Sequence, residues 1–495
     1  MAANLESSFF TESSDSSLFT LYKNQKIGDF YQNKFLELKI DENPLYPRND
    51  IGVSKLFLDI HHEIISFVKE TNTWFIFKDM YWQEDKKGYI VSELCKNFAL
   101  AYAKFAETCE GYTANNVPFY KYAADFHKYR RRESILADAR SIALKSLAAF
   151  DRNPLLINCK NGTYNLDKMI FTNPNPADKI TKTTKFKYFE DAACPRWESF
   201  IDEIMCGNKD NIRFLQKALG YALTGNTSQE CMFVLYGPTT RNGKSTLVET
   251  IAYLLGDYAM TMNPRTLARR NTSSSAPSPD IARLKGVRFL IMPEPEKGLE
   301  LDAALVKQFT GGESAVSRFL YKNISEFKPE FKLFINTNHL PKISDNTVFQ
   351  SNRIKVIPFD RYFSPEEQDT GLKKLFCEPE NLSGIFSWLL DGYRMFAKEG
   401  LELSEKVHAA TEEYQTDMQA ETEGFFEGFL MPSANFRLKT SEIYQRYVSW
   451  TTGNGNNSLS AQDFVGELRH RYEVKRDKNK GNVVIGFELK PEGDT

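Results

Sequence analysis

The order of apolar and polar positions divides the chain into a mostly helical first third, a central block that alternates helices with strands, and a smaller final block. In the first third, GVSKLFLDIHHEIISFVKE and VSELCKNFALAYAKFAETC repeat apolar residues every three or four positions, which predicts amphipathic helices. Between them, TWFIFKDMYWQEDKKG predicts two short strands around a turn. Further on, LLINCKNGTYNLDKMIFTNPNP predicts a β-hairpin that turns at Asn161-Gly162. The region is therefore expected to be mostly helical α+β.

The central block contains three short apolar segments, MFVLY, VRFLIM and FKLFIN, each bounded by turn-forming or charged residues. Strands that are apolar on both faces suit a parallel sheet covered by helices. We therefore expect an α/β core with a parallel sheet flanked by helices.

The final block predicts two helices, SEIYQRYVSWTTG and SAQDFVGELRHRY, followed by two strands around DKNKGN. This order is typical of the later part of a winged-helix domain. Such domains either bind DNA through a helix and the wing or serve as protein contacts, and both interpretations stay open. If DNA is bound, the expected contacts are the basic residues of the second helix and wing: Arg469, Arg471, Lys475 and Arg476.

A length of 495 residues is enough for several domains. We expect a flexible Ser-rich tail, an N-terminal α+β domain, a central α/β domain, a linker helix and a winged-helix domain. Their boundaries are 1–20, 21–195, 196–400, 401–436 and 437–495.

Charge and cysteine content exclude some classes of protein. Lys and Arg number 63 against 65 Asp and Glu, so the total does not indicate a protein coated in nucleic acid, although local basic surfaces remain possible. The 7 cysteines form no CxxC pair, which argues against a zinc ribbon or a disulfide framework. No signal peptide or long apolar stretch is evident, so no membrane contact and a cytoplasmic location are expected.

The clearest chemical signal is LYGPTTRNGKSTLVETIAYLL, in which an apolar strand leads through a glycine-rich turn into a helix. Backbone N–H groups of such a turn and the helix N-terminus attract phosphate. The predicted nucleotide-binding residues are Gly237, Asn242, Gly243, Lys244, Ser245 and Thr246. The two glycines are separated by five residues, one more than in the usual G-x-x-x-x-G-K-S/T pattern. A chance Gly-Lys-Ser turn is the competing interpretation.

Acidic and amide residues follow two other strands of this block. VRFLIM is followed by Glu294 and Glu296, which are suited to hold Mg²⁺ and to polarise the attacking water. FKLFIN is followed by Asn338, with Asn336 as a competitor for the same role near the γ-phosphate. Arg353 opens the stretch RIKVIPF, just before a strand, and could reach the nucleotide of a neighbouring subunit. Ordinary solvated turns and surface charges are the alternatives.

These elements, in this order, resemble superfamily 3 helicases, and more closely the phage/plasmid primase–helicase family that is related to the poxvirus primase–helicase. The resemblance rests mainly on residues 214–247, 278–343 and 353–359, and extends more weakly over most of residues 50–430. It implies an AAA+-like P-loop ATPase at residues 196–400 that uses ATP and Mg²⁺, preceded at 21–195 by a domain for oligomerisation or DNA entry.

The resemblance also implies roles for single residues. Lys244 and Ser245 match the Walker A lysine and hydroxyl, and Ser245 with Glu294 would bind the metal. Glu294 and Glu296 match the acidic pair of Walker B, Asn338 the sensor asparagine and Arg353 the arginine finger. The stretch from Lys307 to Lys322 corresponds to a motif that leads into a DNA-facing hairpin, in which Arg318 and Lys322 would contact phosphates.

The expected function is an ATP-dependent, ring-shaped DNA helicase or initiator of a phage or mobile element. By resemblance, it would be a homo-hexamer on single-stranded and forked DNA in the cytoplasm of a bacterial host cell. Residues 1–150 show no convincing primase motif, so a separate primase is an expected partner. The alternatives are an AAA+ ATPase that loads or remodels a replication protein, and a metabolic P-loop kinase, against which the paired Glu and the Asn/Arg series argue.

Overall fold

A computed structural model describes residues 27–109, 117–269, 279–313, 315–318, 324–343, 345, 347–453, 461–477 and 481–490. The contacts divide the chain into two compact units, with the boundary between Tyr188 and Phe189. The proposed tail, residues 1–20, lies outside the described residues. Within the described part, no helix is long and apolar enough to span a membrane.

Where the structure describes it, the first unit combines five α-helices with two small sheets. Its helices are α1 (Ile27–Leu38), α2 (Asp50–His61), α3 (Tyr89–Thr108), α4 (Val117–Asp125) and α5 (Tyr129–Ile142). Its strands are β1 (Ile65–Val68), β2 (Thr73–Lys78), β3 (Tyr81–Asp85), β4 (Leu144–Lys145), β5 (Leu156–Cys159), β6 (Gly162–Asn165) and β7 (Ile170–Thr172). The strand orders are β3-β2-β1-β4 and β5-β6-β7, so the expected mixture of helices and short strands is present.

The segment GVSKLFLDIHHEIISFVKE is only partly helical. Its helix ends at His61, and Ile65–Val68 forms a strand that pairs antiparallel with β2. All four residues of that strand are buried. A short apolar run cannot be assigned to helix or strand by periodicity alone, and here the neighbouring strand decides.

The second unit contains the central α/β core and the C-terminal block. Its helices are α6 (Pro195–Ile204), α7 (Lys209–Tyr221), α8 (Lys244–Leu255), α9 (Pro279–Ala282), α10 (Ala303–Gly311), α11 (Thr347–Gln350), α12 (Leu372–Phe376), α13 (Pro379–Glu399), α14 (Glu405–Phe429), α15 (Thr440–Gly453) and α16 (Ala461–Arg471). Its strands are β8 (Met232–Tyr236), β9 (Ala259–Thr261), β10 (Phe289–Met292), β11 (Ala315–Arg318), β12 (Ile324–Phe327), β13 (Lys332–Thr337), β14 (Ile354–Pro358), β15 (Leu430–Lys439), β16 (Val474–Asp477) and β17 (Gly481–Leu489).

The core is a five-stranded sheet in the order β14-β8-β13-β10-β9, and every neighbouring pair is parallel. Strands β8 and β10 are buried almost throughout. Across three adjacent strands, the ring of Phe334 stacks on Phe233 and lies tilted against Phe289. The prediction of a parallel sheet flanked by helices is confirmed. Strand β9 was not foreseen, because three partly exposed residues at a sheet edge give no hydrophobic pattern.

Helices α7 and α13 pack with their backbones in contact. A Cβ on Gly220 would lie 2.2 Å from Tyr393 N, and a Cβ on Gly392 would lie 2.1 Å from Gln216 O. Each helix therefore presents a glycine where the other passes, and a side chain at either position would push the helices apart.

The C-terminal block forms an antiparallel sheet in the order β15-β17-β16, with α15 and α16 beside it in the chain. The sequence predicted both helices and the last two strands but missed β15. The predicted linker helix, 401–436, is helical over Glu405–Phe429 and then continues as this strand. The winged-helix assignment stays a prediction.

Candidate nucleotide-binding site

The loop between β8 and α8 is closed tightly on itself. Asn242 is buried, and its Nδ2 donates a hydrogen bond to Thr239 O at 2.7 Å. A Cβ on Gly237 would lie 2.2 Å from Asn242 Nδ2, and Gly243 has φ of +85°, which favours glycine. The two glycines are therefore required by close approach and by backbone conformation, as a phosphate-binding loop needs.

The additional residue in this loop is accommodated by a bend. Arg241 adopts φ of 58°. Its carbonyl accepts a hydrogen bond from Phe363 N at 3.0 Å, and its Nη1 donates to Gln368 Oε1 at 2.7 Å. The segment that follows β14 thus holds the longer loop in place.

Lys244 is the first residue of α8 and is only 4% exposed. Its Nζ donates to Asn338 Oδ1 at 2.8 Å and to Gly237 O at 3.4 Å. Burial lowers the pKa of Lys244 to about 8, although the negative charge of Glu294 acts in the opposite direction. The ammonium is therefore a buried cation with uncharged hydrogen-bond acceptors, an environment in which an added anion is strongly attracted.

Glu294 lies beside this lysine because of the strand order. Strand β13 lies between β8 and β10, so Asn338, which follows it, is next to the ends of both neighbours. Asn338 N donates to Glu294 Oε1 at 3.2 Å. Lys244, Asn338 and Glu294 are thus joined at the carboxyl edge of the sheet.

Asn336 has a different partner. Its Nδ2 donates to Ser245 Oγ at 3.2 Å, while Asn338 bonds Lys244. The sequence treated the two amides as competitors for one role, but the structure gives each its own neighbour. Ser245 is exposed and Thr246 is half-buried, on the first turn of α8.

Glu296 does not share these contacts. Its Oε1 pairs with Arg265 Nη2 at 2.8 Å, and both side chains are more than two-thirds exposed. This pair raises the pKa of Arg265. The structure therefore brings Glu294, and not Glu296, to Asn338, and the catalytic role of Glu296 stays a prediction.

Arg353 lies at the amino ends of the strands, whereas the glycine-rich loop between β8 and α8, the proposed phosphate loop, lies at their carboxyl ends. It precedes β14, and its carbonyl accepts a hydrogen bond from Met232 N, the first residue of β8. Strand β8 has five residues, so four steps of about 3.3 Å put its two end residues roughly 13 Å apart. Arg353 and the phosphate loop of the same chain are thus on opposite edges.

The DNA-contact candidates near the core are only partly described. Lys307 Nζ forms an ion pair with Asp345 Oδ2 at 2.6 Å. Burial would raise the pKa of Asp345, but hydrogen bonds from Lys307 and Thr347 lower it overall. Arg318 ends β11, which forms a hairpin with β12; its side chain and all of Lys322 lie outside the described residues.

In the C-terminal block, Arg471 contacts a carboxylate of its own helix and an aromatic ring of α14. It forms an ion pair with Glu467, and its guanidinium lies 5.4 Å from the centre of the Phe426 ring. Lys475 pairs with Glu473 at 2.6 Å, and Arg469 and Arg476 are exposed. The last two are better presented to a polyanion than Arg471.

Comparisons with known proteins add three findings. Residues 54–206 match the family described as "D5 N terminal like". A protein of Acanthamoeba polyphaga mimivirus named "Putative helicase L207/L206" is 28% identical over 478 residues, which covers 89% of this chain and 49% of that protein. "Putative helicase 022R" of Frog virus 3 is 29% identical over 262 residues, covering 49% of this chain and 26% of that protein.

Among solved structures, the apo structure of the NrS-1 C-terminal region (305–718) has a TM-score of 0.47 and 13% identity, covering 89% of this chain and 99% of that one. The chain spans about half the length of the mimivirus relative and less of the frog virus relative. It is thus similar to helicase-named viral proteins and carries a D5 N-terminal-like segment at residues 54–206.

Proposed function

We propose that this chain is the ATP-hydrolysing motor of a DNA helicase, built on an AAA+-like core. The observation that carries the proposal is the grouping of five polar residues at the carboxyl edge of the parallel sheet: Lys244 bonds Asn338, Asn338 bonds Glu294, and Asn336 bonds Ser245. A lysine, a hydroxyl, a carboxylate and an amide beside a glycine-rich loop are the groups that phosphoryl transfer requires.

The residues fit ATP with Mg²⁺. The buried Lys244 ammonium has no directly bonded anion in the described chain and would bind the β- and γ-phosphates, while backbone N–H groups of the loop would bind the rest of the triphosphate. Ser245 and Glu294 would hold Mg²⁺, which neutralises developing charge on the phosphates. Asn338 would orient the attacking water, and Glu296 is proposed to assist Glu294.

DNA unwinding is proposed from the relatives. Proteins similar to this chain are named as helicases in DNA viruses, which supports a replicative motor of a virus or other mobile element acting on single-stranded and forked DNA. The winged-helix assignment, the DNA contacts and a separate primase partner belong to the same proposal. The alternative is an AAA+ ATPase that loads a replication protein without unwinding DNA itself.

A ring, with six subunits by resemblance, is proposed because Arg353 lies on the sheet edge opposite the phosphate loop of its own chain. An arginine there can stabilise phosphoryl transfer only in another copy. Head-to-tail contacts between copies, which generate rings, would bring one copy's Arg353 to the next copy's loop.

The test is strand displacement on a forked DNA substrate, measured together with the rate of ATP hydrolysis with and without that DNA. We expect hydrolysis that DNA stimulates and unwinding that requires ATP. The matched control is Lys244→Ala, which should remove both activities. Hydrolysis that DNA stimulates without displacing a strand would favour the loader, and absence of hydrolysis by the wild-type protein would refute the proposed function.

A further inference from the structure

We propose that Glu230 and Thr310 are positioning residues that fix the guanidinium of Arg353, so that it is presented in a set orientation to the nucleotide of a neighbouring copy. Glu230 Oε2 lies 2.9 Å from Arg353 Nη2, and Thr310 Oγ1 lies 2.9 Å from Arg353 Nη1. This inference rests on the proposed function, because it concerns an arginine that acts in trans.

A hydrogen bond within α10 orients the Thr310 hydroxyl as an acceptor for Arg353. The Thr310 hydroxyl donates to Val306 O at 2.7 Å, one turn earlier in α10. A hydroxyl has a single hydrogen, so towards Arg353 it can only accept. Gly311 provides the space, because a Cβ there would lie 3.2 Å from Arg353 Nη1. The end of α10 is thus shaped to receive a guanidinium edge.

The backbone of Glu230 is held in an unusual conformation. Its φ is 44°, which non-glycine residues seldom adopt. Its N–H donates to Thr227 O at 3.0 Å, and the same loop is anchored by the buried Lys332, whose Nζ donates to the carbonyls of Thr224 and Asn226. Such conformations persist where the surroundings over-determine them, often at functional sites.

The two contacts leave the guanidinium able to bind another group. They use two of its five N–H donors, and the side chain of Arg353 is 17% exposed. A long, flexible side chain would otherwise lose conformational entropy on meeting a phosphate. Holding it beforehand lowers that cost, which is the advantage of a preorganised donor.

The experiment compares Glu230→Gln, Thr310→Val and Thr310→Ser with Arg353→Ala in steady-state ATP hydrolysis by the full chain. We expect Arg353→Ala to lower kcat roughly a thousandfold or more, as loss of an arginine finger does. Glu230→Gln and Thr310→Val should each lower kcat roughly tenfold, with KM for ATP within about twofold, since they misplace a transition-state donor. Thr310→Ser keeps the hydroxyl and should restore kcat.

The matched control is Glu203→Gln, which removes the carboxylate of another Arg–Glu pair, Arg196 with Glu203, and should leave kcat unchanged. Binding of a fluorescent ATP analogue checks that each variant is folded. If Glu230→Gln does not fold, the comparison of Thr310→Val with Thr310→Ser tests the proposal; if Thr310→Val does not fold, Glu230→Gln tests it. The proposal is overturned if kcat is unchanged in both substitutions, or if Glu230→Gln raises kcat, which would make the contact a restraint on Arg353. It also falls if Arg353→Ala stays active, whereas a wild-type protein without ATPase activity refutes the proposed function itself.

Discussion

At the scale of single residues, Lys244 is in an environment that opposes its own charge. It is nearly fully buried, and both of its hydrogen-bond acceptors are uncharged. Desolvation penalises the ammonium form, which is why its pKa lies at about 8. A polyphosphate bound at this position would reverse the penalty, so ligand binding and protonation of Lys244 are coupled.

This coupling predicts a pH dependence of ATP affinity. In the free protein Lys244 is protonated below about pH 8. Bound phosphate stabilises the ammonium and raises this lowered pKa, so above pH 8 ATP binding is accompanied by uptake of a proton. We expect the Kd for ATP to be nearly constant below pH 7 and to rise towards tenfold per unit above pH 8. Calorimetric titration in buffers of different ionisation enthalpy measures the proton uptake.

The control is Lys244→Arg, because a guanidinium stays protonated throughout this range. The affinity of this variant for ATP should be weaker than that of the wild type but should not change with pH. An unchanged slope in this variant would assign the pH dependence to another group.

The two strand-terminal amides are predicted to have separable roles. Asn338→Ala removes the partner of Lys244 and should lower kcat by roughly a hundredfold while nucleotide still binds. Asn336→Ala removes the hydrogen bond to Ser245 and should mainly raise the Mg²⁺ concentration needed for half-maximal activity. Titrations of ATP and of Mg²⁺ on both variants measure the difference, and identical behaviour would contradict the separation.

At the scale of secondary structure, close contact between α7 and α13 gives the second unit a sensitive point. Gly392→Ala would place a methyl group 2.1 Å from Gln216 O, and Gly220→Ala one 2.2 Å from Tyr393 N. Because the obstructing atoms belong to the backbone, the helices must separate. We expect each substitution to lower the free energy of unfolding by about 1–3 kcal/mol, despite the better helix propensity of alanine. Denaturant unfolding measures the loss.

Gly424→Ala is the matched control, since this glycine lies within α14 and a Cβ there meets nothing within 4 Å. This substitution should raise the free energy of unfolding by up to about 1 kcal/mol, as expected for an exposed helical position. If Gly392→Ala and Gly424→Ala behave alike, the close approach of the two helices is not what limits stability.

At the scale of the whole molecule, the two halves of the proposed catalytic apparatus occupy opposite edges of one sheet. Lys244 lies at the carboxyl edge and Arg353 at the amino edge. A single copy cannot bring them together, so hydrolysis is expected to depend on assembly and therefore on protein concentration.

Mixing two inactive variants tests this dependence. Lys244→Ala and Arg353→Ala should each be inactive alone, but a random 1:1 mixture should recover activity at about a quarter of the interfaces, where an intact loop faces an intact arginine. Recovery is measured as ATP hydrolysis after mixing. A mixture as inactive as its components would argue against a shared site.

The sequence determined the elements that local chemistry specifies. The apolar strands MFVLY and FKLFIN are confirmed as parts of a parallel sheet, because continuous apolar runs between turns suit strands buried on both faces. The glycine-rich turn between β8 and α8 was predicted from its residues and from the strand and helix patterns around it, since the positive φ of Gly243 is a local requirement. Strands β1, β9 and β15 were not predicted because pairing with other strands, not periodicity, defines them: β1 pairs with β2, β9 with β10, and β15 with β17.

Only the tertiary structure decided how distant residues are combined. The sequence lists Asn336 and Asn338 two positions apart, but the insertion of β13 between β8 and β10 gives one amide to Ser245 and the other to Lys244. The tertiary structure likewise gives Glu294 and Glu296 different partners, Asn338 and Arg265. It also brings Arg353 into contact with Glu230 and Thr310. Strand order and side-chain direction depend on how the whole core packs, and no local pattern in the chain encodes them.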